Sequence, residues 1–367
     1  MAYFRCILLP RALTLSAENA TIETNHRGGS SMNIGILGAG NIAGSMARTI
    51  CGMAAQGRPV TLCAVASRSQ EKAGAFAKAY GIPRAYGSYA AMLNDPLVEL
   101  VYIATPHSHH AEQIRQCVAA GKPVLCEKSF TANAKQAEDV LQEAETAGVY
   151  VAEAIWTRYM PARGMIADII ASGEIGEPRF LSANLAYDVE YKERISQPEL
   201  AGGALLDVGV YPLNFASMVF GNDIVRVESS VQKLGTGVDR TENITYFYRD
   251  GKMAQLMASV AFNSDRRGIV YGTKGFLTVD NVNNPHEIAL YDKNQRETPR
   301  EVRPVPAQIT GYEYEVEACL RDIAAGQLEP AEMPHAETLE IMRQMDALRA
   351  AWQIRYPFEE SIIAREE

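Results

Sequence analysis

A chain of 367 residues, 47% of them hydrophobic, suits two domains better than one core. Its formal net charge of −9 leaves little basic surface to neutralise phosphates, which argues against nucleic acid and anionic membranes as partners and for a small-molecule ligand. The cysteines Cys6, Cys51, Cys63, Cys117, Cys126 and Cys319 form no C-x-x-C pair, and several sit in apolar runs. They read as buried free thiols in a reducing, cytoplasmic compartment.

Residues 1–31 close on the polar run Asn25-His26-Arg27-Gly28-Gly29-Ser30-Ser31 and read as a disordered extension or a mis-assigned start. Within them, Cys6-Ile7-Leu8-Leu9 is broken by Pro10 and is too short for a convincing secretory signal. No apolar stretch is expected to reach the roughly 18 residues of a membrane span.

From Asn33 onward, short apolar runs alternate with helical patterns, the signature of a doubly wound parallel sheet covered on both faces. Strands are predicted at Ile34–Leu37, Thr61–Ala66, Leu100–Ala104, Pro123–Cys126 and Val149–Ala152, with helices near 41–55, 70–80, 109–120 and 133–147. Glycines in Ala120-Gly121-Lys122-Pro123 and Ala147-Gly148 mark helix ends. This α/β domain is expected over 32–155.

Past Trp156 the pattern changes. Helices are predicted at Arg163–Ser172 and Leu206–Phe220. Six β-rich runs follow, Ile224–Leu234, Asn243–Tyr248, Met253–Ala261, Gly268–Tyr271, Phe276–Val279 and Ile288–Tyr291, and they read as adjacent antiparallel strands. Helical patterns over Tyr312–Ala325 and Ala336–Trp352 close the chain. The expectation for 156–367 is an α+β domain with a large, open, mostly antiparallel sheet.

Gly38-Ala39-Gly40-Asn41-Ile42-Ala43 follows a predicted strand and opens a predicted helix. There, Gly38 makes the tight turn, Gly40 lets the backbone approach a pyrophosphate, Ala43 permits close packing, and the helix N-terminus faces the phosphates. Dinucleotide binding by Gly38, Gly40, Asn41 and Ile42 is the reading. At the end of the next strand, where an acidic residue would hold a ribose 2′-hydroxyl, the chain has Ala66-Ser67-Arg68-Ser69. Arg68 and the serine hydroxyls suit a 2′-phosphate, which favours NADP over NAD. Ser67 or Ser69 as a helix cap, with Arg68 merely exposed, is the plainer alternative, and both roles can coexist.

Thr105-Pro106-His107-Ser108-His109-His110 lies at the strand ends where ligands bind in such folds. The histidines are adjacent rather than spaced on one helical face, so no metal is expected. They either line the nicotinamide pocket or form a helix start with one ring packed. Cys126-Glu127-Lys128-Ser129 ends another buried strand, where a lysine is costly without a partner or a task. In Gly202-Gly203-Ala204-Leu205-Leu206-Asp207-Val208-Gly209-Val210-Tyr211, Asp207 and Tyr211 stand four apart on one helical face, so a carboxylate and a phenol can converge. By contrast, the Y-x-x-x-K spacing of Tyr248 and Lys252 brackets an Asp250-Gly251 hairpin turn and is no helical pair.

In their order and spacing, Gly38–Ala43, Thr105–His110, Glu127-Lys128 and Asp207–Tyr211 resemble the glucose–fructose oxidoreductase/inositol dehydrogenase (Gfo/Idh/MocA) family, over about residues 32–355. The stretches 153–161 and 201–212 are especially similar to its dimeric dihydrodiol dehydrogenases and NADP-dependent D-xylose dehydrogenases. The resemblance implies a Rossmann domain and transfer of hydride between NADP and a CH–OH group of a sugar, cyclic polyol or trans-dihydrodiol. It implies catalysis by Lys128 and Tyr211 with Asp207 nearby, Trp156 lining the substrate pocket, and Thr105, Pro106, His107, His110, Glu127 and Lys128 around the cofactor. The ammonium of Lys128 is expected to favour the Tyr211 phenolate.

Two departures stand out. Ser129 replaces the family's proline, which predicts a looser loop or a trans peptide after Lys128. His107 replaces a common asparagine, which changes pocket polarity. A homodimer or larger even oligomer is expected to cover the open sheet. The rival readings are a non-catalytic sensor binding NADP and a sugar, against which the retention of Lys128 and Tyr211 argues, and a carbonyl or imine reductase.

Overall fold

A computed structural model describes residues 31–359; the expectation for the N-terminal extension lies outside them, apart from Ser31. The first half runs β1 Met32–Leu37, α1 Asn41–Ala55, β2 Val60–Ala66, α2 Gln70–Tyr80, β3 Arg84–Tyr86, α3 Tyr89–Leu93, β4 Leu100–Ile103, α4 His110–Ala119, β5 Val124–Glu127, α5 Ala134–Ala147 and β6 Val151–Ala154. Its sheet is wholly parallel in the order β3-β2-β1-β4-β5-β6. Strands β4, β5 and β6 are buried at every position, because helices cover both faces. The strand order reverses between β1 and β4, which opens a ligand crevice at their carboxyl ends.

The second half runs α6 Pro161–Ala171, β7 Pro178–Ala186, α7 Glu193–Ser196, a π-helical turn Leu205–Gly209, α8 Val210–Phe220, β8 Ile224–Lys233, β9 Asp239–Tyr248, β10 Met253–Ser259, β11 Gly268–Gly272, β12 Gly275–Val279, β13 Glu287–Asp292, β14 Glu301–Pro304, α9 Glu313–Ala324 and α10 His335–Ala351. Its eight-stranded sheet has the order β14-β13-β12-β11-β7-β10-β9-β8. The expected run of adjacent antiparallel strands is interrupted. Strand β7 lies between β11 and β10 and pairs parallel with β10. Gly176 and Pro178 read as a helix stop, yet Pro178 opens that strand, a position where no ladder N–H is needed.

Helix α9 departs from the expected division of the chain. Its Val316 and Cys319 pack with Ile34, Ile36, Leu100 and Tyr102 of the parallel sheet, so the chain returns to its first layer. The segment Pro198–Phe220 corrects another expectation: it is long and apolar enough to cross a membrane, yet 83% of its most apolar window is buried inside the protein. Its last part, α8, packs against β7 and β10 of the second sheet. Among the described cysteines all are free thiols, and Cys51 is exposed rather than buried.

The outer face of the eight-stranded sheet is only partly covered. Phe180, Tyr271, Phe276 and Tyr291 are cross-strand partners forming a row over β7, β11, β12 and β13, with centroid separations of 6.0, 5.5 and 4.5 Å. On the edge strand β8, Val225 and Val227 are exposed.

Candidate active site

The turn from β1 to α1 carries the glycine motif. Gly38 has φ 113°, and a Cβ there would sit 2.6 Å from the Ala104 carbonyl oxygen, so this turn accepts only glycine without strain. A Cβ at Gly40 would meet nothing within 4 Å. Gly40 is the N-cap of α1, which has no side-chain cap and no acidic residue in its first turn. The open space and the uncapped N–H groups fit a dinucleotide pyrophosphate. Gly40, Asn41 and Ile42 line a cleft of ≈ 660 Å³ whose other walls include Thr105, Pro106, His107, Glu127, Lys128, Asp207 and Tyr211. Residues 170 positions apart in sequence thus meet at the predicted crevice.

Lys128, just after β5, reaches across to the turn that begins α8. Its Nζ donates to the Asp207 carbonyl oxygen at 2.6 Å and lies 3.5 Å from the Asp207 carboxylate. Arg194 Nη1 donates to the same carboxylate at 2.5 Å. Burial pushes the Asp207 acid up, but the Lys128 and Arg194 charges outweigh it and hold the carboxyl below the usual range. A π-turn carries Asp207, and such turns recur at functional sites.

Lys128 does lie beside Tyr211, in surroundings that oppose the expected phenolate. The ammonium rests over the ring face, 5.2 Å from its centroid, and is committed to Asp207. Burial, with Tyr312, Glu127 and Asp207 nearby, pushes the Tyr211 phenol well above its ordinary value. These surroundings favour the protonated phenol over the phenolate.

The three histidines separate. His107 lines the cleft, with Nδ1 3.2 Å from the Ala201 carbonyl oxygen, and burial lowers its pKa to about 3. His110 is not at the cofactor face where the resemblance puts it. It is fully buried, with Nε2 2.8 Å from the Thr105 carbonyl oxygen and Nδ1 3.0 Å from that of Ser129. Burial lowers its pKa to about 4 against the carbonyls of Thr105, Ser129 and Phe130, which favour the proton; a neutral ring donates to only one of the two loops it lies between. Among the described residues no three His, Cys, Asp or Glu side chains form a metal-sized group.

Trp156 stands directly behind the cleft wall, beside Tyr211. It stacks on Tyr312 at 4.1 Å and donates from Nε1 to Asn283 Oδ1 at 3.0 Å; Tyr312 and Asn283, not Trp156, line the cleft. The peptide bond between Lys128 and Ser129 is cis, against the expectation of a trans bond or a loose loop. Ser129 is buried and donates from Oγ to the Leu206 carbonyl oxygen at 2.8 Å. Ser69 caps α2 through Lys72 N, while Ser67 is buried and Arg68 is exposed at the end of β2.

The sequence reading missed Arg194, Lys192, Tyr187, Asn283 and Tyr312, all of which line the cleft. Only Arg194 left a trace, a cation thirteen residues before the carboxylate it binds. Glu127 was expected at the cofactor. It does line the cleft, where it accepts from the Tyr102 hydroxyl, and burial raises its acid.

Comparisons with known proteins agree with this architecture. Residues 32–154 match the oxidoreductase family with an NAD-binding Rossmann fold, and 165–278 match the GFO/IDH/MocA C-terminal domain. The chain belongs to the Gfo/Idh/MocA family of NAD(P)-dependent oxidoreductases. It is similar to the trans-1,2-dihydrobenzene-1,2-diol dehydrogenase of Mus musculus, 32% identical over 88% of this chain and 97% of the relative. The Homo sapiens enzyme of the same name is 33% identical over 80% and 89%. Among solved structures, a 3-ketoreductase from Actinomadura kijaniata in complex with NADP and TDP-benzene superposes with TM-score 0.78, 26% identity and coverage of 88% and 98%.

Removing the central carboxylate leaves two cations without a counter-charge. Asp207→Asn is expected to destabilise the protein by about 3 kcal/mol at neutral pH. Since folding lowers the Asp207 pKa from 3.8, its contribution is full above that value and fades as pH falls below it. Urea unfolding of both proteins from neutral pH downward checks this: the gap between them should narrow below about pH 4.

Proposed function

We propose that the protein is an NADP-dependent dehydrogenase acting between a CH–OH group and its carbonyl on a sugar, cyclic polyol or trans-dihydrodiol. The observation carrying this reading is the single cleft that joins the Gly40–Ile42 helix start to Lys128, Asp207 and Tyr211. When bound, the nicotinamide supplies or accepts the hydride. The chain's own groups bind, orient and move the proton. Tyr187 and Tyr312 offer flat apolar walls to ring C–H faces, and Asn283, tied to Tyr187 Oη at 3.1 Å, offers hydrogen bonds to hydroxyls. This lining suits a small polyhydroxylated ring, in keeping with the substrates in the relatives' names.

Tyr211 exchanges the proton with the substrate oxygen, and Lys128, held by Asp207, polarises that oxygen. A phenol kept protonated is ready to donate to a carbonyl as hydride arrives; the reverse reaction requires it to ionise first. The same proton inventory supports carbonyl reduction as the second reading.

For the cofactor, Arg68 is exposed where an acidic residue would select NAD, and its charge reaches His109 and Tyr89. The five cysteines among the described residues are free and four of them are buried, which fits a reducing cytoplasm. The aromatic row on the second sheet supports a homodimer formed by two such faces.

Nucleotide titration checks the cofactor assignment: NADP should bind more tightly than NAD by about tenfold or more, and Arg68→Asp should reverse the order. Equal or better NAD affinity in the unaltered protein overturns it.

Sedimentation at micromolar concentration should find a dimer or larger even oligomer, and a charge placed in the row, Phe276→Glu, should dissociate it. A monomer in the unaltered protein refutes the assembly.

A screen of sugars, cyclic polyols and dihydrodiols for NADP reduction identifies the substrate on which catalysis is tested. Tyr211→Phe and Lys128→Met should each lower turnover about a hundredfold or more, with NADP affinity nearly unchanged. Because the phenol is raised, alcohol oxidation should accelerate as pH rises above neutrality while carbonyl reduction stays level. Near-normal turnover in Tyr211→Phe means that another group exchanges the proton; loss of NADP binding alone in both variants makes the site a cofactor clamp.

A further inference from the structure

Strand β9 carries two carboxyls that the proposed chemistry does not use. Asp239 and Glu242 are both 0% exposed. Three positions apart on a regular strand they would face opposite sides. A bulge changes this: Lys233 pairs with Asp239 while the preceding Gln232 pairs with Thr241, so Arg240 is the extra residue. The alternation resets across it, and both acids point inward onto the turn that precedes α8.

Their contacts there are specific. Asp239 Oδ2 accepts from the Leu205 backbone N–H at 2.5 Å. Its carboxyl fills the space beside Gly203, which has φ 118°. A Cβ at Gly209 would stand 2.5 Å from Glu242 Oε1. The two carboxyls therefore grip both ends of the turn Leu205–Gly209. No ion pair to either acid exists among the described residues. Arg349, whose charge reaches Asp239, is itself bonded to Asp346 at 2.8 Å and Glu359 at 2.9 Å. Asp239 Oδ1 and both Glu242 oxygens are buried without a hydrogen-bond partner, and burial, with the neighbouring Asp239 charge, pushes the Glu242 acid up. Two adjacent buried carboxylates without a cation cannot both be charged, whereas one proton on Glu242, donated to Asp239, satisfies both.

We propose that Asp239 and Glu242 form a buried acid pair sharing one proton, and that its ionised member, Asp239, is a positioning residue capping the turn that holds Asp207 against Lys128. A negative charge at the N-terminal end of this turn also favours the helical dipole that follows. The effect reaches the site through one short path, since Lys128 Nζ and Ser129 Oγ bond to the carbonyls of Asp207 and Leu206. This inference rests on the reading of Lys128 and Asp207 as site residues. The shared proton does not.

The test uses the full chain. Infrared difference spectra of the free protein at neutral pH should contain the carbonyl band of a protonated carboxylic acid that Glu242→Gln removes and Asp239→Asn retains. Absence of that band overturns the pair whatever the enzyme's substrate. In steady-state kinetics, Asp239→Asn should lower kcat about tenfold or more while the KM for NADP holds. Glu242→Ala should lower kcat similarly, and Glu242→Gln, which keeps a donor to Asp239, should restore most of it. Normal kcat in Asp239→Asn, or parallel loss of kcat, NADP affinity and melting temperature, reduces the pair to a fold element and overturns positioning. If the band is present but no substrate is turned over by the unaltered protein, the proposed activity has failed, and with it the positioning role, while the acid pair stands.

Discussion

A carboxylate taken out of water costs several kcal/mol unless it is paired and hydrogen-bonded. Asp207 meets that condition only because two distant parts of the chain come to it. Lys128 arrives from the end of β5, and Arg194 from α7, at the cleft rim. Satisfying this one charge forces the carboxyl edge of the parallel sheet onto the start of α8, and the cleft is the space left between them. The Lys128–Asp207 and Ser129–Leu206 bonds run side by side to successive carbonyls. The two layers are therefore joined at the point where chemistry is expected, rather than at a remote hinge.

Around this ionic centre, burial pushes the titratable groups toward their neutral forms. His107 and His110 are driven below their ordinary range by burial, Glu127 is raised, and the Tyr211 phenol is raised further. Glu315, fully buried with neither carboxyl oxygen bonded, is pushed well above its ordinary value. Charge near the cleft is thus concentrated in Lys128, Arg194 and Asp207 and in the solvated rim. Such a site offers a fixed dipole to a substrate oxygen and a proton on Tyr211, with few competing proton acceptors.

What was legible in the sequence was local. The Gly38–Ala43 turn, the Ser69 cap and the stretch ending at Tyr211 each carry their geometry within a few residues, and all stand where they were expected. Strands β3 and β14 escaped because they are short and without apolar alternation, β3 half-buried and β14 mostly exposed. Arg194 and Asn283 escaped because their segments have no pattern of their own, and Tyr312 because the helical pattern it opens says nothing of where that helix docks; only the tertiary fold brings them to the cleft. Trp156 stands behind the cleft wall, against Tyr312 and Asn283, and His110 lies in the core. Adjacency along the chain says that a ring is near the site, but the helical turn at His107–His110 decides which ring enters the core.

The replacement of proline by Ser129 illustrates why a departure from a family pattern must be judged by contacts. From sequence alone, losing a ring that restricts the backbone suggests a loop with more freedom. Yet the serine is fully buried, its hydroxyl donates to the Leu206 carbonyl, and its own carbonyl lies against His110. Proline has no side-chain donor and could not make the first of these bonds. The constraint has moved from the backbone of one residue to a hydrogen bond between two layers, and that bond ends one residue before Asp207. A change that weakens the local turn therefore strengthens the tie holding the carboxylate in place, so the lysine is presented by tertiary contacts rather than by the covalent geometry of a ring.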